Sequence, residues 1–321
     1  MTELTAVKFA FRAAWCEVAA GIVAAMGQRA SERYFAGKRC LVTGAASGIG
    51  RATALRLADH GAELYLTDRN TDGLEVTVAD ARALGARVPR YLALDIADYD
   101  QVAGFAADIH AAHPSMDAVF NIAGVSAWGT VDRLTHEQWS TMIAINLMGP
   151  IHVIETFVPP MVAAGRGGRV VNVSSAAGLV ALPWHAAYSA SKFGLRGLSE
   201  VLRFDLAQHR IGVSLVVPGA VNTPLADTIE IAGVDRDDPR VARWVQRFAG
   251  HAVSPELAAA KILTGVAWNR YLIYTSPDIR ALYAFKRFAW WPYSMSMRRV
   301  NVLFTRALRP SPAPLRPGRP E

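Results

Sequence analysis

Only two cysteines, Cys16 and Cys40, occur in 321 residues. They supply no disulfide framework and no thiolate metal site, so a reducing compartment is expected. The eight histidines are scattered. His110 and His113 stand at helical spacing but lack companion ligands, and they read as surface residues; no metal is expected. No internal repeat at a solenoid period is present. Long apolar runs are also missing. Lys8, Arg12 and Glu17 break up the N-terminal stretch before it reaches the roughly 20 apolar residues that a bilayer crossing needs. Glu17 inside that stretch also argues against a cleaved leader. Acidic residues are scarce at the other end. Residues 1–278 carry 25 Lys and Arg against 26 Asp and Glu, whereas residues 279–321 carry nine basic residues and one acid, Glu321. The formal charge of +7 therefore belongs to the tail. A near-neutral body excludes a nucleic-acid-binding body and leaves a basic tail with a local job.

Composition supplies the rest of the frame. Hydrophobic residues at 52% and charged residues at 19% support a sizeable core. The length suits one large α/β domain with extensions, or two small domains. Short apolar strands alternate with helical segments, which argues for a doubly wound parallel sheet. Ahead of it, Leu4, Val7, Phe11, Trp15, Val18, Ile22 and Met26 form one stripe at spacings of three and four. Residues 1–36 are therefore expected to be an amphipathic helical extension, docked on the body or on a membrane surface.

The first chemical signal is KRCLVTGAASGIG, residues 38–50. Here an apolar strand runs into a Gly-rich turn and an Ala/Leu-rich helix. Gly44, Gly48 and Gly50 allow a tight turn and close approach to a pyrophosphate at the helix N-terminus. The next strand, Glu63 to Thr67, ends at Asp68. A carboxylate there can accept hydrogen bonds from ribose hydroxyls and repel a 2′-phosphate. Arg69 could attract that phosphate. NAD is expected over NADP, with NADP kept as the alternative.

The second signal is VVNVSSAAGLVALPWHAAYSASKFG, beginning at Val170 and ending at Gly194. Tyr188 and Lys192 are four apart, on one face of a helix. A phenol titrates near ~10, and a neighbouring ammonium favours the phenolate, which suits general acid and base work. Ser175, just past an apolar strand, can hydrogen-bond a carbonyl or alkoxide.

These two stretches resemble the short-chain dehydrogenases/reductases, over roughly Lys38 to Thr275. The resemblance implies one Rossmann domain of about seven strands, residues 37–277, usually assembled as a homodimer or homotetramer. It also assigns roles. Ser175, Tyr188 and Lys192 would be catalytic, and Asn146, in MIAINLMGP, would support a proton relay. The turn residues Gly44, Ser47, Gly48, Ile49 and Gly50 would hold the dinucleotide with Asp68 and Arg69. Asp95 and Ile96 would flank the adenine. Asn121, Ala123 and Gly124 form a second turn, in which Ile122 departs from the family's usual NNAG. Pro218, Gly219, Val221 and Thr223 would close over the nicotinamide side, and Tyr188 and Lys192 would also touch the cofactor.

The implied reaction interconverts a secondary alcohol and a ketone. Trp128, Leu179, Val180, Leu182, Pro183 and Trp184 suggest an apolar wall with Ser126 and His185 as sparse polar anchors, hence a steroid-, retinoid- or acyl-like substrate. Leu225 to Ala252 falls where the family carries a variable lid. Residues 278–309 mix aromatics with Lys and Arg and are expected either to touch a membrane surface or to pack on the body or a partner. Pro292 is expected to break this segment in two. Residues 310–321 are expected to be disordered. A cytoplasmic enzyme with peripheral membrane contact is the leading expectation. A silent dinucleotide-binding regulator and a membrane-associated scaffold are the alternatives.

Overall fold

The computed structural model describes residues 21, 23–234 and 252–308. The N-terminal stripe up to Val18, most of the segment before Ala252, and the proline-rich end lie outside these residues. Residues 23–35 are helical (α1), and the helix docks by its end. Phe35 is fully buried, and the Ser31 hydroxyl lies 3.1 Å from His60 Nε2. Val23 and Met26, on the preceding turns, are exposed.

Seven strands form one parallel sheet. They are β1 (Arg39–Thr43), β2 (Glu63–Asp68), β3 (Arg90–Ala93), β4 (Ala118–Asn121), β6 (Gly168–Val173), β7 (Ile211–Val217) and β9 (Leu272–Tyr274). Their order is β3-β2-β1-β4-β6-β7-β9. The order reverses beside β1, and the carboxyl ends of β1 and β4 diverge there to leave a crevice. Helices α2 (Gly48–Asp59), α3 (Thr71–Ala83), α4 (Tyr99–Ala112), α6 (Gly149–Ala164), α7 (Ala186–Asp205) and α9 (Pro255–Ala267) cover the two faces, and the short α8 (Pro224–Asp227) follows β7. Strands covered on both faces read as nearly unbroken apolar runs, which is why CLVT, LYLT and VSLVV lack polar alternation.

One face buries Phe35, Leu57, Leu74, Ile262 and Leu263 against Val42, Leu64 and Phe120. The other buries Phe105, Ile109, Phe157 and Met161 against Leu41, Tyr65 and Val170. Each such side chain contributes about 1.5–3 kcal/mol over leaving it in water. Surface ion pairs such as Arg90 with Asp108 contribute roughly 0–1 kcal/mol. The core therefore holds the strand ends where the site is built.

Some local expectations are corrected. The C-terminal helices, α10 (Pro277–Phe288) and α11 (Trp290–Ala307), break at Ala289 and not at Pro292. Pro292 lies in the first turn of α11, where backbone N–H groups have no intrahelical partner to lose. His110 and His113 are half-buried, His110 against Phe157 and His113 3.9 Å from Glu63. Among the described residues one continuous helix, His136–Ala164, is long and apolar enough to cross a bilayer. It combines α5 (His136–Ile143), a π turn (Ala144–Met148) and α6, and α6 buries Val153, Phe157 and Met161 in the core.

Candidate active site

Above the carboxyl ends of the strands lies a cleft of about 850 Å³. The Gly-rich turn forms one end. Gly44 has φ +71°, and a Cβ there would stand 2.8 Å from the Ala123 backbone. A Cβ on Gly50 would overlap the Gly44 carbonyl oxygen. Only glycines let this turn and helix pack so closely. Ser47, Gly48, Ile49 and Gly50 line the cleft, as do Asp68, Arg69, Asp95, Ile96, Ala123, Gly124, Pro218, Gly219, Val221 and Thr223.

Asp68 ties the turn to β2. One carboxylate oxygen accepts from Ala46 N–H at 3.0 Å and the other from Asn70 N–H at 2.9 Å. Thr43 has a similar part that the sequence reading missed. Its hydroxyl oxygen accepts from the Ile122 and Ala123 N–H groups at 3.0 and 3.1 Å, joining the two turns. The only signal for it was the Thr opening TGxxxGIG. Asn121 does not line the cleft. It lies beneath it, buried, and donates to Asn172 Oδ1 at 2.9 Å.

At the other end α7 presents Tyr188 and Lys192, both buried. The Ser175 hydroxyl faces that of Tyr188, and its oxygen accepts from Ala177 N–H at 3.1 Å. Lys192 Nζ donates to the Val173 carbonyl at 3.1 Å and lies 5.8 Å from the centre of the Tyr188 ring. Burial brings the Lys192 ammonium down to about 8. Burial also pushes the Tyr188 phenol up, offset in part by the neighbouring Ser175 hydroxyl. Burial therefore sets the direction for the phenol, against the fall expected from a neighbouring ammonium.

Asn146 sits in the π turn, a distortion common at functional sites. Its side chain accepts from Val125 N–H and donates to the Val125 carbonyl, both at 2.9 Å. A Cβ on Gly124 would lie 2.9 Å from Asn146 Oδ1 and 3.3 Å from Lys192 Nζ, so Gly124 is the gap through which these groups meet.

Beyond Tyr188 the wall is largely apolar. Ser126, Trp128, Val180, Leu182 and His185 line it, with Ile229 and Leu282. Trp128 Nε1–H donates to Ser126 Oγ at 2.8 Å, and the Trp128 ring lies 4.3 Å from that of His185. His185 Nδ1 lies 2.6 Å from the Pro183 carbonyl. A carbonyl only accepts, so Nδ1 carries the proton and Nε2 is left as an acceptor. Burial brings the imidazole down to about 4, so it is neutral at physiological pH.

Trp184, Leu179 and Pro183 are not part of the cleft lining. Trp184 takes φ +66° and turns into a cluster with Trp128, Ile231 and Leu308. Small strands β5 (Ala127–Trp128) and β8 (Glu230–Ile231) pair beside that cluster, tying the start of the expected lid over Trp128.

The least expected part of the site is the C-terminal hairpin. Asp278, Ile279 and Leu282 of α10 line the cleft. Tyr293 of α11 accepts from Ala181 N–H at 2.9 Å and donates to the Ala181 carbonyl at 3.3 Å. Lys286 Nζ donates to the Leu179 carbonyl at 2.7 Å. The loop carrying Leu182 and His185 is thus clamped from outside. Tyr293→Ala removes both Ala181 bonds and a buried ring. It is expected to raise KM several-fold with kcat nearly kept, because the loop loosens while Tyr188 stays on α7. Steady-state kinetics at saturating cofactor measure it.

Fold and site together define a dinucleotide-binding α/β oxidoreductase. Residues 38–232 match the family model described as short chain dehydrogenase. SadH, a putative oxidoreductase of Mycobacterium tuberculosis, is 36% identical over 250 residues, 77% of this chain and 89% of that protein. A short chain dehydrogenase/reductase from Burkholderia phymatum in complex with NAD superposes with TM-score 0.72 and 31% identity, covering 79% of this chain and 94% of that one. A short chain dehydrogenase from Mycobacterium paratuberculosis bound to NAD gives TM-score 0.64 and 26% identity, covering 75% and 96%. The chain belongs to the short-chain dehydrogenase/reductase family.

Proposed function

We propose that this protein interconverts a lipophilic secondary alcohol and its ketone, with NAD preferred over NADP. The observation that carries this reading is the grouping of buried Tyr188 and Lys192 with half-buried Ser175 at the end of a cleft that opens onto the Gly-rich turn. Gly44, Ser47, Gly48 and Asp68 would hold the dinucleotide's phosphate and ribose end, and Pro218, Gly219, Val221 and Thr223 its nicotinamide end. When bound, the nicotinamide supplies or accepts the hydride.

The chain's own residues handle the proton. Tyr188 is held as a neutral phenol by burial, ready to protonate the oxygen of a carbonyl. In the oxidation direction it acts as the phenolate, its own proton having left along the relay past Lys192 and Asn146, and takes the hydroxyl proton. Ser175 holds the reacting oxygen in place and stabilises its developing charge. Asn146 anchors the π turn against the loop at Val125 and supports the relay past Lys192. Asp68 favours NAD, because a 2′-phosphate beside it would face a carboxylate. Trp128, Val180, Leu182 and Ile229 favour an apolar substrate, and His185 Nε2 offers one acceptor for a polar group on it. Exposed Val201 and Phe204 on α7 support assembly into a homodimer or homotetramer.

Incubation with NAD or NADP and a panel of alcohols, followed by absorbance of the reduced cofactor, tests the whole reading. Long-chain or polycyclic secondary alcohols are expected to be oxidised, and polyols poorly. NAD is expected to bind at least about tenfold tighter than NADP by tryptophan fluorescence, one unfavourable contact being sufficient for that ratio. Tighter NADP binding would overturn the role of Asp68. NAD binding with no turnover of any alcohol or ketone would leave a silent dinucleotide-binding protein.

A further inference from the structure

The C-terminal hairpin has two unlike faces. Its inner face packs on the body through Ile279, Tyr293 and Leu308, all buried. On its outer face Phe288 is 83% exposed, Trp290 65% and Trp291 72%, at the corner where α10 meets α11. Along α11 the exposed residues Trp291, Met295, Arg298, Val302 and Arg306 follow one another at steps of three and four, which makes a single stripe. Leu303 and Arg299 flank it, also exposed. From Ile279 to Leu308 the chain has no acidic residue. Arg280, Arg287, Arg298, Arg299 and Arg306 are exposed and enter no ion pair among the described residues.

We propose that this face seats the protein on an anionic phospholipid surface. Trp and Phe at the corner suit the boundary between headgroups and acyl chains, and the arginines suit the phosphates beside them. A second copy of the chain is the poorer occupant. An isologous contact would bring the same arginines of two copies together with no carboxylate between them. The hairpin that carries this face also borders the site, since Ile279 and Leu282 on its inner side line the cleft. A seated protein therefore places that wall near the bilayer, where a lipophilic substrate would be dissolved. This last advantage rests on the proposed substrate class; the docking itself does not.

The test is co-sedimentation of the full-length protein with vesicles of phosphatidylcholine alone and of phosphatidylcholine with phosphatidylglycerol, at low and high salt. The protein is expected to pellet with the anionic vesicles and to be released as salt screens the arginines. The pairs Trp290→Ala with Trp291→Ala, and Arg298→Glu with Arg306→Glu, are each expected to lower the partition coefficient about tenfold or more. Circular dichroism and NAD binding in the absence of vesicles report that both variants stay folded. Failure of the wild type to pellet with anionic vesicles at low salt overturns the proposal. So does unchanged pelleting of both variants, or an oligomer that falls apart in size-exclusion chromatography when the tryptophans are removed. Because pelleting needs no substrate, these outcomes are independent of whether any alcohol is turned over.

Discussion

Tyr188→Phe is expected to lower kcat by about 10²–10⁴-fold, the usual size of a positioned acid–base contribution. NAD affinity is expected to stay within a few-fold of wild type. The phenyl ring keeps its place among Ala127, Met142 and Ala187, so the wall around it does not collapse. Only the oxygen is lost, and with it the hydroxyl that faces Ser175 and the proton proposed to move in the reaction. Stopped-flow or steady-state kinetics with saturating cofactor, alongside fluorescence titration of NAD, separate the two effects. A variant with half the wild-type kcat would remove Tyr188 from the mechanism. One that lost NAD binding as well would point to a structural role.

Lys192→Met is expected to separate activity from stability in opposite directions. Turnover falls about 10²-fold or more, because the amine that assists Tyr188 is gone. The protein without cofactor, however, becomes more stable at pH 7. In the folded chain the Lys192 ammonium is brought from its ordinary 10.5 down to about 8 by burial. That shift corresponds to a cost of about 3 kcal/mol wherever both folded and unfolded chains keep the proton, that is, below about pH 8. Loss of the bond to the Val173 carbonyl takes back about 1–2 kcal/mol, leaving a net gain of about 1–2 kcal/mol. Between pH 8 and 10.5 the folded wild type sheds its proton while the unfolded chain keeps it. Wild-type stability rises across that window, and the variant's advantage shrinks. Urea unfolding of both proteins at pH 7 and pH 10 measures the difference. A variant less stable than wild type at pH 7 would mean that the buried amine is better compensated than its surroundings indicate.

The two ends of the site were legible in different degrees. The Gly-rich turn, the acid ending β2 and the Tyr188–Lys192 pair were readable because each depends on spacing within one short segment. A strand, a turn and a helix start fix Gly44, Gly48 and Gly50 locally, and one helical repeat puts Tyr188 and Lys192 on the same face. The parallel sheet was readable for a related reason, since strands covered on both sides must be apolar along their length. The substrate wall was not. Trp184 sits next to His185 in the chain, yet a positive φ turns it away from the cleft, and no neighbour in the sequence announces that turn. Asn121 lies under the cleft for a comparable reason, its amide being taken up by Asn172 on the adjacent strand.

Residue order by itself determined the sheet, the Gly-rich turn and the placing of Tyr188 and Lys192 on one helix face, because these follow from local geometry and the period of apolar residues. Tertiary structure decided the electrostatic state of that pair. Whether a lysine raises or fails to raise the acidity of a tyrosine depends on how much water surrounds both, and strands and helices distant in the chain remove that water. It also decided the part played by residues 277–308. Their aromatics and arginines left open a membrane contact or packing on the body; one face clamps the loop at Ala181 and lines the cleft while the other meets solvent. Which side chains face inward follows from what the hairpin packs against, and that partner surface lies about a hundred residues earlier in the chain.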